Sequence, residues 1–197
     1  MEDPQKDFFL DLTIRFNKIP DDHPNIGKKP GWMAHSPRIN LRPHTGCIRM
    51  NGENHFRWLE SMYKTAPINE LYRPRIEIRE GEATIEMEIS EKFHHSAGAV
   101  HGSVYFKMLD DAAFFAANSL EPEFFVLTVS FTTYMTRPVS SGRLQSQGRV
   151  VHRNKSQFIA ESVIYNAKRM EIGRGNGIFV RSKMPLNAAV GYGTEPE

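Results

Sequence analysis

The chain has 197 residues, 40% apolar, 24% charged and 11% aromatic, which is ordinary for a globular protein and enough to bury a sizeable core. A formal net charge of +2, with no Lys/Arg run interleaved with aromatics, argues against a nucleic-acid partner. The single cysteine, Cys47, excludes an intrachain disulfide and a cysteine-based zinc cluster.

The first stretch, MEDPQKDFFLDLTIRFNK, begins acidic and has no apolar h-region. No apolar run approaches the ~20 residues needed to span a bilayer. The expectation is a soluble, cytoplasmic protein with no membrane partner. Residues 1–53 are rich in Pro, Gly and His without a sustained period, which is the texture of loop and turn. They read as an irregular arm that wraps the main domain or a partner subunit. A short helix from about Lys6 to Lys18 opens it, and Trp32 and Met33 are its candidate anchors. Cys47 sits in this Pro/Gly-rich region, where a catalytic thiol is a weak reading. His23, His35, His44 and His55 are too scattered for metal-ligand spacing, so no metal site is expected.

From Asn54 the chain becomes regular, and residues 54–186 read as one domain. Trp58, Leu59, Met62 and Tyr63 form the apolar stripe of a short helix that Pro67 ends. Ile76 and Ile78 alternate with charged residues. Ala83, Ile85, Met87 and Ile89 alternate with Thr84, Glu86 and Glu88. That period of two, broken by EGE, predicts a hairpin whose strands each have one wet face.

The next segment, from about Ser103 to Ser119, poses the main question. It is apolar on nearly every bearing, so it reads as a buried helix, with Pro122 marking its end. Yet it carries adjacent carboxylates, Asp110 and Asp111. A buried carboxylate is expensive unless paired or hydrogen-bonded, so each needs either a partner or a job. Lys107 stands at i−3 from Asp110 and i−4 from Asp111 and can pair with either.

Four further strand candidates follow: FFVLTVSFTTYMT, RLQSQGRVVHR, SQFIAESVIYNAK and GNGIFVRSK, the middle pair flanking a turn at Asn154-Lys155. The GRGNG stretch at 173–177 has no Walker lysine and opens a strand, so it reads as a bulge and not as a phosphate loop. One buried helix against about six mostly antiparallel strands gives an α+β layer with the sheet curled round the helix. Such a sheet leaves a face or edge uncovered, and a dimer is its natural completion. Residues 187–197, NAAVGYGTEPE, read as a disordered tail.

The element order and three motifs resemble the hotdog-fold acyl-CoA thioesterases, in particular the phenylacetate-pathway-like branch of the 4-hydroxybenzoyl-CoA thioesterase superfamily. The resemblance covers residues 54–185 or so. Its motifs are Gly98, His101, Gly102 and Ser103 in a loop entering the helix, Met108, Asp110 and Ala112 on the helix, and TVSFTTYMTRPVSSG downstream. That last stretch supplies Thr128, Tyr134, Met135, Arg137, Pro138 and Gly142.

The resemblance implies hydrolysis of acyl-CoA thioesters by a homo-oligomer, a dimer or a dimer of dimers. Coenzyme A is then part of the substrate, and no separate cofactor is needed. Asp110 takes the place of the catalytic carboxylate, and Thr128 that of a hydroxyl beside it or its water. The Gly102 amide at the helix N-terminus polarises a carbonyl held across the dimer, where unpaired amides and the helix dipole favour negative charge. His101 fixes the loop, or else is only a loop-stabilising donor. Ser103 replaces the family's second glycine and caps the helix start. His95 stands where many relatives place an Asn against the carbonyl. Arg137, Arg153 and Lys155 are candidates for the coenzyme phosphates, against the plainer reading of solvated turn charges.

The aromatic residues Phe114, Phe115, Phe124 and Phe125 suit either an apolar acyl tunnel or ordinary core packing. Two other functions compete. A hydratase or dehydratase of the same fold needs a second catalytic residue where this chain has Phe115. A non-catalytic acyl-CoA-binding protein needs only the fold.

Overall fold

The computed structural model describes residues 52–193. The proposed arm, its helix, Trp32, Met33 and Cys47 lie outside the described residues. Three helices run over Gly52–Thr65 (α1), Ile68–Tyr72 (α2) and Gly102–Asn118 (α3). Six strands run over Arg75–Arg79 (β1), Glu82–Glu88 (β2), Phe124–Met135 (β3), Arg143–Arg153 (β4), Gln157–Tyr165 (β5) and Glu171–Pro185 (β6). They form one antiparallel sheet in the order β1-β2-β4-β5-β6-β3.

The period-two segment becomes the β1–β2 hairpin, with Ile76 opposite Ile85 and Ile78 opposite Ala83 on the buried face. Gly81 turns it at φ +72°, a conformation that favours a residue without Cβ. α1 shields the free side of β1: buried Glu60 accepts the backbone N–H of Ile78 at 2.9 Å. An edge amide is thereby satisfied inside the chain. Pro67 does not simply end α1. It opens the five-residue α2, which the sequence reading missed because one helical turn has no room for a period.

α3 is the axis of the fold and packs on β2, β3, β4, β5 and β6. Val104, Met108, Leu109, Ala112, Phe115 and Ala116 are buried, so the apolar girth predicted for this helix is what the curved sheet encloses. The helix crosses β4 at Gly148. A Cβ there would fall 2.2 Å from the Ala112 carbonyl oxygen, so only glycine permits this approach. Buried Ser162 of β5 donates to the Leu109 carbonyl at 2.7 Å and pins the middle of the helix.

The GRGNG stretch lies in regular pairing with β3, from Gly173 opposite Met135 to Gly177 opposite Phe131. The expected bulge is displaced: the register with β5 shifts between Gly173 and Glu171. The glycines have another purpose, because a Cβ at Gly175 or Gly177 would lie about 2.5 Å from the Phe131 ring, at 2.4 and 2.5 Å respectively. β6 is bare there so that an aromatic ring can lie across it.

The tail does not behave as expected over 187–193. Asn187 accepts the Ala189 N–H at 2.9 Å and caps a 3-10 turn over Ala188–Val190, and Tyr192 is buried. A Gly-rich composition hid an anchored segment whose anchor is one aromatic residue. Among the described residues no helix is long and apolar enough to cross a membrane.

Candidate active site

The first turn of α3 explains the His-Gly-Ser entry. His101 itself is the N-cap: its Nδ1 accepts the Ser103 N–H at 3.1 Å and lies 2.8 Å from the Ser103 hydroxyl. The cap is therefore the histidine, and Ser103 is the second helical residue, correcting the expectation that serine caps this helix. Gly102 is the first helical residue, half-buried, and its amide has no partner among the described residues. The loop is tied down from behind, since the Phe93 carbonyl accepts the His101 N–H at 2.8 Å.

His95 lies on that loop and is exposed. Its Nδ1 accepts the Ala97 N–H at 3.1 Å, and Gly98, at φ +78°, closes the turn by donating to the His95 carbonyl at 2.9 Å. A neutral ring bonded in this way carries its proton on Nε2, which points away from the turn as a free donor.

Two turns along α3 the adjacent carboxylates have separate environments. Asp111 Oδ2 receives Lys107 Nζ at 2.5 Å and the Tyr63 hydroxyl at 2.9 Å. The Lys107 ammonium also faces the Tyr63 and Tyr72 rings, at 5.2 and 5.5 Å from their centroids. Asp111 thus has two partners and a structural explanation. Burial still pushes its carboxyl up, against the opposing pull of Lys107.

Among the described residues Asp110 has no cation of its own, and its one side-chain partner is Thr128 Oγ1 on β3, donating at 3.2 Å. Burial, and then the neighbouring Asp111 charge, push its carboxyl up to about 6. A carboxylate so held titrates near neutrality, which is the range a general base needs.

Asp110 and Thr128 open onto a cleft of about 730 Å³. Its apolar walls come from Phe114, Phe115, Phe125 and Leu127, with Met62 on α1 and Val190 behind β6. Of the four phenylalanines considered from the sequence, three line this cleft, while Phe124 packs against the Arg181 guanidinium instead. Met62, Tyr63 and Val190 were not singled out as site residues. α1 carried only a core stripe, and nothing in the tail's sequence marks Val190.

Gly102, His101, Ser103 and His95 do not line this cleft. Eight residues separate Gly102 from Asp110, about 12 Å of helix, so one α3 cannot bring both to a single carbonyl. The three basic candidates are also dispersed. Arg137 lies beside the start of α3, its carbonyl accepting the Tyr105 hydroxyl at 2.9 Å. Arg153 and Lys155 lie at the far end of β4, about 33 Å of strand away from that end. All three are exposed, and Arg153 and Lys155 cannot share one group of phosphates with Arg137 in a single chain. Among the described residues no three His, Cys, Asp or Glu side chains gather as a metal site.

β3, which carries Thr128, is one of the two edge strands of the sheet. Val129, Tyr134 and Met135 on it are 56%, 56% and 51% exposed, an apolar edge left unpaired among the described residues.

Comparison with known proteins gives a consistent picture. The model of the Thioesterase superfamily matches residues 97–172, the stretch from the His101 loop to the first residues of β6. A 1,4-dihydroxy-2-naphthoyl-CoA hydrolase of Listeria monocytogenes is 26% identical over 87 residues, covering 44% of this chain and 71% of that protein. The PaaI protein of the E. coli phenylacetic acid degradation operon superposes with a TM-score of 0.64 at 19% identity, over 69% of this chain and 99% of that one. A thioesterase of Pseudomonas aeruginosa superposes with a TM-score of 0.58 at 16% identity, over 66% of this chain and 94% of that one. At these identities the structural likeness shows the fold, and the fold is the hotdog.

Proposed function

We propose that this hotdog chain, whose resemblance to the thioesterases holds across the superfamily match, hydrolyses acyl-CoA thioesters as a dimer. The observation that carries the reading is Asp110: a half-buried carboxylate, pushed up to about 6, held by Thr128 and facing an apolar cleft. A structural carboxylate would have a cation, as Asp111 does one residue away.

In the proposed reaction a water between Asp110 and the thioester carbonyl loses its proton to the carboxylate as it attacks. Thr128 orients the carboxylate. The tetrahedral oxyanion is met by the partner's Gly102 amide, at a helix N-terminus where the dipole favours negative charge. The C–S bond then breaks, the thiolate takes the proton held by Asp110, and acid and coenzyme A leave. A direct attack by Asp110, through a mixed anhydride that water opens, uses the same groups. The 12 Å offset along α3 is what calls for a second chain. The unpaired β3 edge supports a face for it, with Thr128 already at that edge. His95 Nε2–H is a second donor toward the oxyanion, and Arg137, beside the Gly102 end, is the candidate for a coenzyme phosphate.

The test is thiol release from a panel of acyl-CoAs by the wild type and by Asp110→Asn. Turnover in the first and its loss in the second support the assignment. Binding of acyl-CoA without turnover in the wild type would overturn it in favour of a non-catalytic binding protein.

A further inference from the structure

Part of the wall of the cleft that holds Asp110 comes from outside the six strands and α3. It is made by the link between α1 and α2 and by Ala189, Val190 and Gly191 in the turn that follows β6. That turn is seated from several sides. The buried Tyr192 hydroxyl donates to His55 Nδ1 at 2.6 Å, and the ring meets Trp58 edge-on at 5.3 Å between centroids. His55 in turn donates from Nε2 to the Asn118 carbonyl at 3.1 Å, joining the turn through α1 to the end of α3. Burial pushes the Tyr192 hydroxyl up to about 12 and lowers His55, so both keep these donor and acceptor roles through neutral pH. Gly191, at φ +78°, lies so close to α1 that a Cβ would come within 2.6 Å of Thr65 Oγ1. The Val190 side of the turn therefore stands at a fixed place in the wall.

The charge inside the cleft is equally defined. Among the described residues its one ammonium is Lys107, held by Asp111 and by two ring faces. Asp110 and Asp111 are both carboxylates, and the remaining wall is largely aromatic and aliphatic. A second carboxylate on an acyl group would be desolvated there beside like charge, with no free cation among the described residues to meet it.

We propose that the Ala188–Gly191 turn, locked by Tyr192 to α1, is the end wall of an acyl site for uncharged apolar acyl groups and that Val190 sets how long a group it takes. This rests on the thioesterase reading and deepens it. The apolar requirement is shared by a straight alkyl chain and an aromatic ring, and the experiment separates them.

The experiment measures kcat/KM for acetyl-, octanoyl-, benzoyl- and glutaryl-CoA, with calorimetric binding of octanoyl-CoA in parallel. The full chain is used as wild type, Val190→Trp, Val190→Ala and Tyr192→Phe. Wild type should prefer octanoyl or benzoyl over glutaryl by about tenfold or more, and whichever of the two leads identifies chain or ring. Val190→Trp should lower the octanoyl-to-acetyl ratio by about tenfold. Should the tryptophan variant not fold, Val190→Ala should move the best chain length upward, measured with dodecanoyl-CoA. Tyr192→Phe should move the preferred length in the same direction as Val190→Ala, by a smaller factor of roughly three in the dodecanoyl-to-octanoyl ratio, because it loosens the wall without filling the cleft. Preference for glutaryl-CoA, or ratios unmoved in folded Val190 variants, would overturn the proposal. If no acyl-CoA is hydrolysed, the thioesterase reading fails by itself. Weaker octanoyl-CoA binding by Val190→Trp would then still report the wall, and unchanged binding would remove it.

Discussion

The first and third turns of α3 belong to one helix yet are built on opposite principles. At Gly102 the helix begins, capped by an imidazole, and offers an unpaired amide from a tied-down loop. At Asp110, equally half-buried, the polar group is a carboxylate beside an apolar cleft whose partial burial is offset by one hydroxyl. One region supplies positive potential at the surface and the other supplies basicity beside an apolar cleft. Neither can reach the other, because about 12 Å of helix lies between them. On the proposed reading these are two halves of one site, and the proposed reaction brings them together through a second copy of the chain.

The sharpest way to break that comparison is at the carboxylates. Asp110→Asn keeps the shape and the acceptor for Thr128 while removing the base, and kcat should fall on the order of 10³-fold. Asp111→Asn should change kcat far less, because its partners Lys107 and Tyr63 are structural. Stability provides the cross-check. The folded-state value of Asp110 lies above its ordinary value, so the folded chain holds that proton more tightly than the unfolded one. Stability is then greatest below the ordinary carboxylate range, declines as pH rises toward about 6, and stays lowered above it. Asp110→Asn should therefore raise Tm at pH 7 by roughly a few degrees while abolishing turnover. A parallel loss of Tm and activity would mean the substitution merely damaged the fold.

The two halves can also be inactivated separately and recombined. Gly102 has ordinary φ, and a side chain there meets only the flexible end of Met135, at 3.0 Å from Cε. Gly102→Val should thus fold and lose turnover by blocking approach to the amide. Mixed one to one with Asp110→Asn, it should recover about a quarter of wild-type activity, from one intact site in the half of dimers that are mixed. Inactive heterodimers, shown to have formed, would mean each chain carries a whole site.

A smaller effect is expected at His95. Its Nδ1 is committed to the Ala97 amide, leaving Nε2–H as donor. Loss of such a donor costs about a hundredfold in kcat, which is the expectation for His95→Ala. His95→Asn should keep most activity, since an asparagine oxygen can take the Ala97 N–H in the same turn and its nitrogen can donate. Equal activity in wild type and His95→Ala would leave the Gly102 amide as the sole oxyanion donor.

Much of this was legible in the sequence, and for physical reasons. The first two strands follow from period two around Ile76–Ile89, the other four from long β-branched and aromatic runs, and the buried helix from the apolar girth of α3. Spacing allowed Lys107 to pair with either Asp110 or Asp111, and the structure gives it to Asp111 at 2.5 Å. What escaped was whatever depends on distant partners. α2 is a single turn. The GRGNG glycines make room for Phe131 from another strand. Tyr192 finds His55 137 residues away, and no local pattern announces that contact. The basic residues grouped from the sequence, Arg137, Arg153 and Lys155, are divided by the length of β4, which spacing along the chain does not reveal.

The finest distinction between the two turns of α3 concerns Thr128. Its hydroxyl donates to ionised Asp110 and so favours the charged form, while burial and Asp111 favour the neutral one. With the wild type, kcat/KM should rise about tenfold per pH unit below about 6 and level off above it, as the base becomes ionised. Thr128→Val removes the donor at nearly constant volume. The carboxyl should then titrate at higher pH, so the rising limb moves toward alkaline pH. At pH 6 the variant should lose activity by roughly tenfold, the worth of one hydrogen bond to a charged group. At pH 9 most of that loss should disappear, because Asp110 is ionised in both forms. A loss independent of pH would assign Thr128 to holding water or substrate instead of tuning the carboxylate. Thr128→Ser discriminates further, since it restores the donor and should return the limb to the wild-type position.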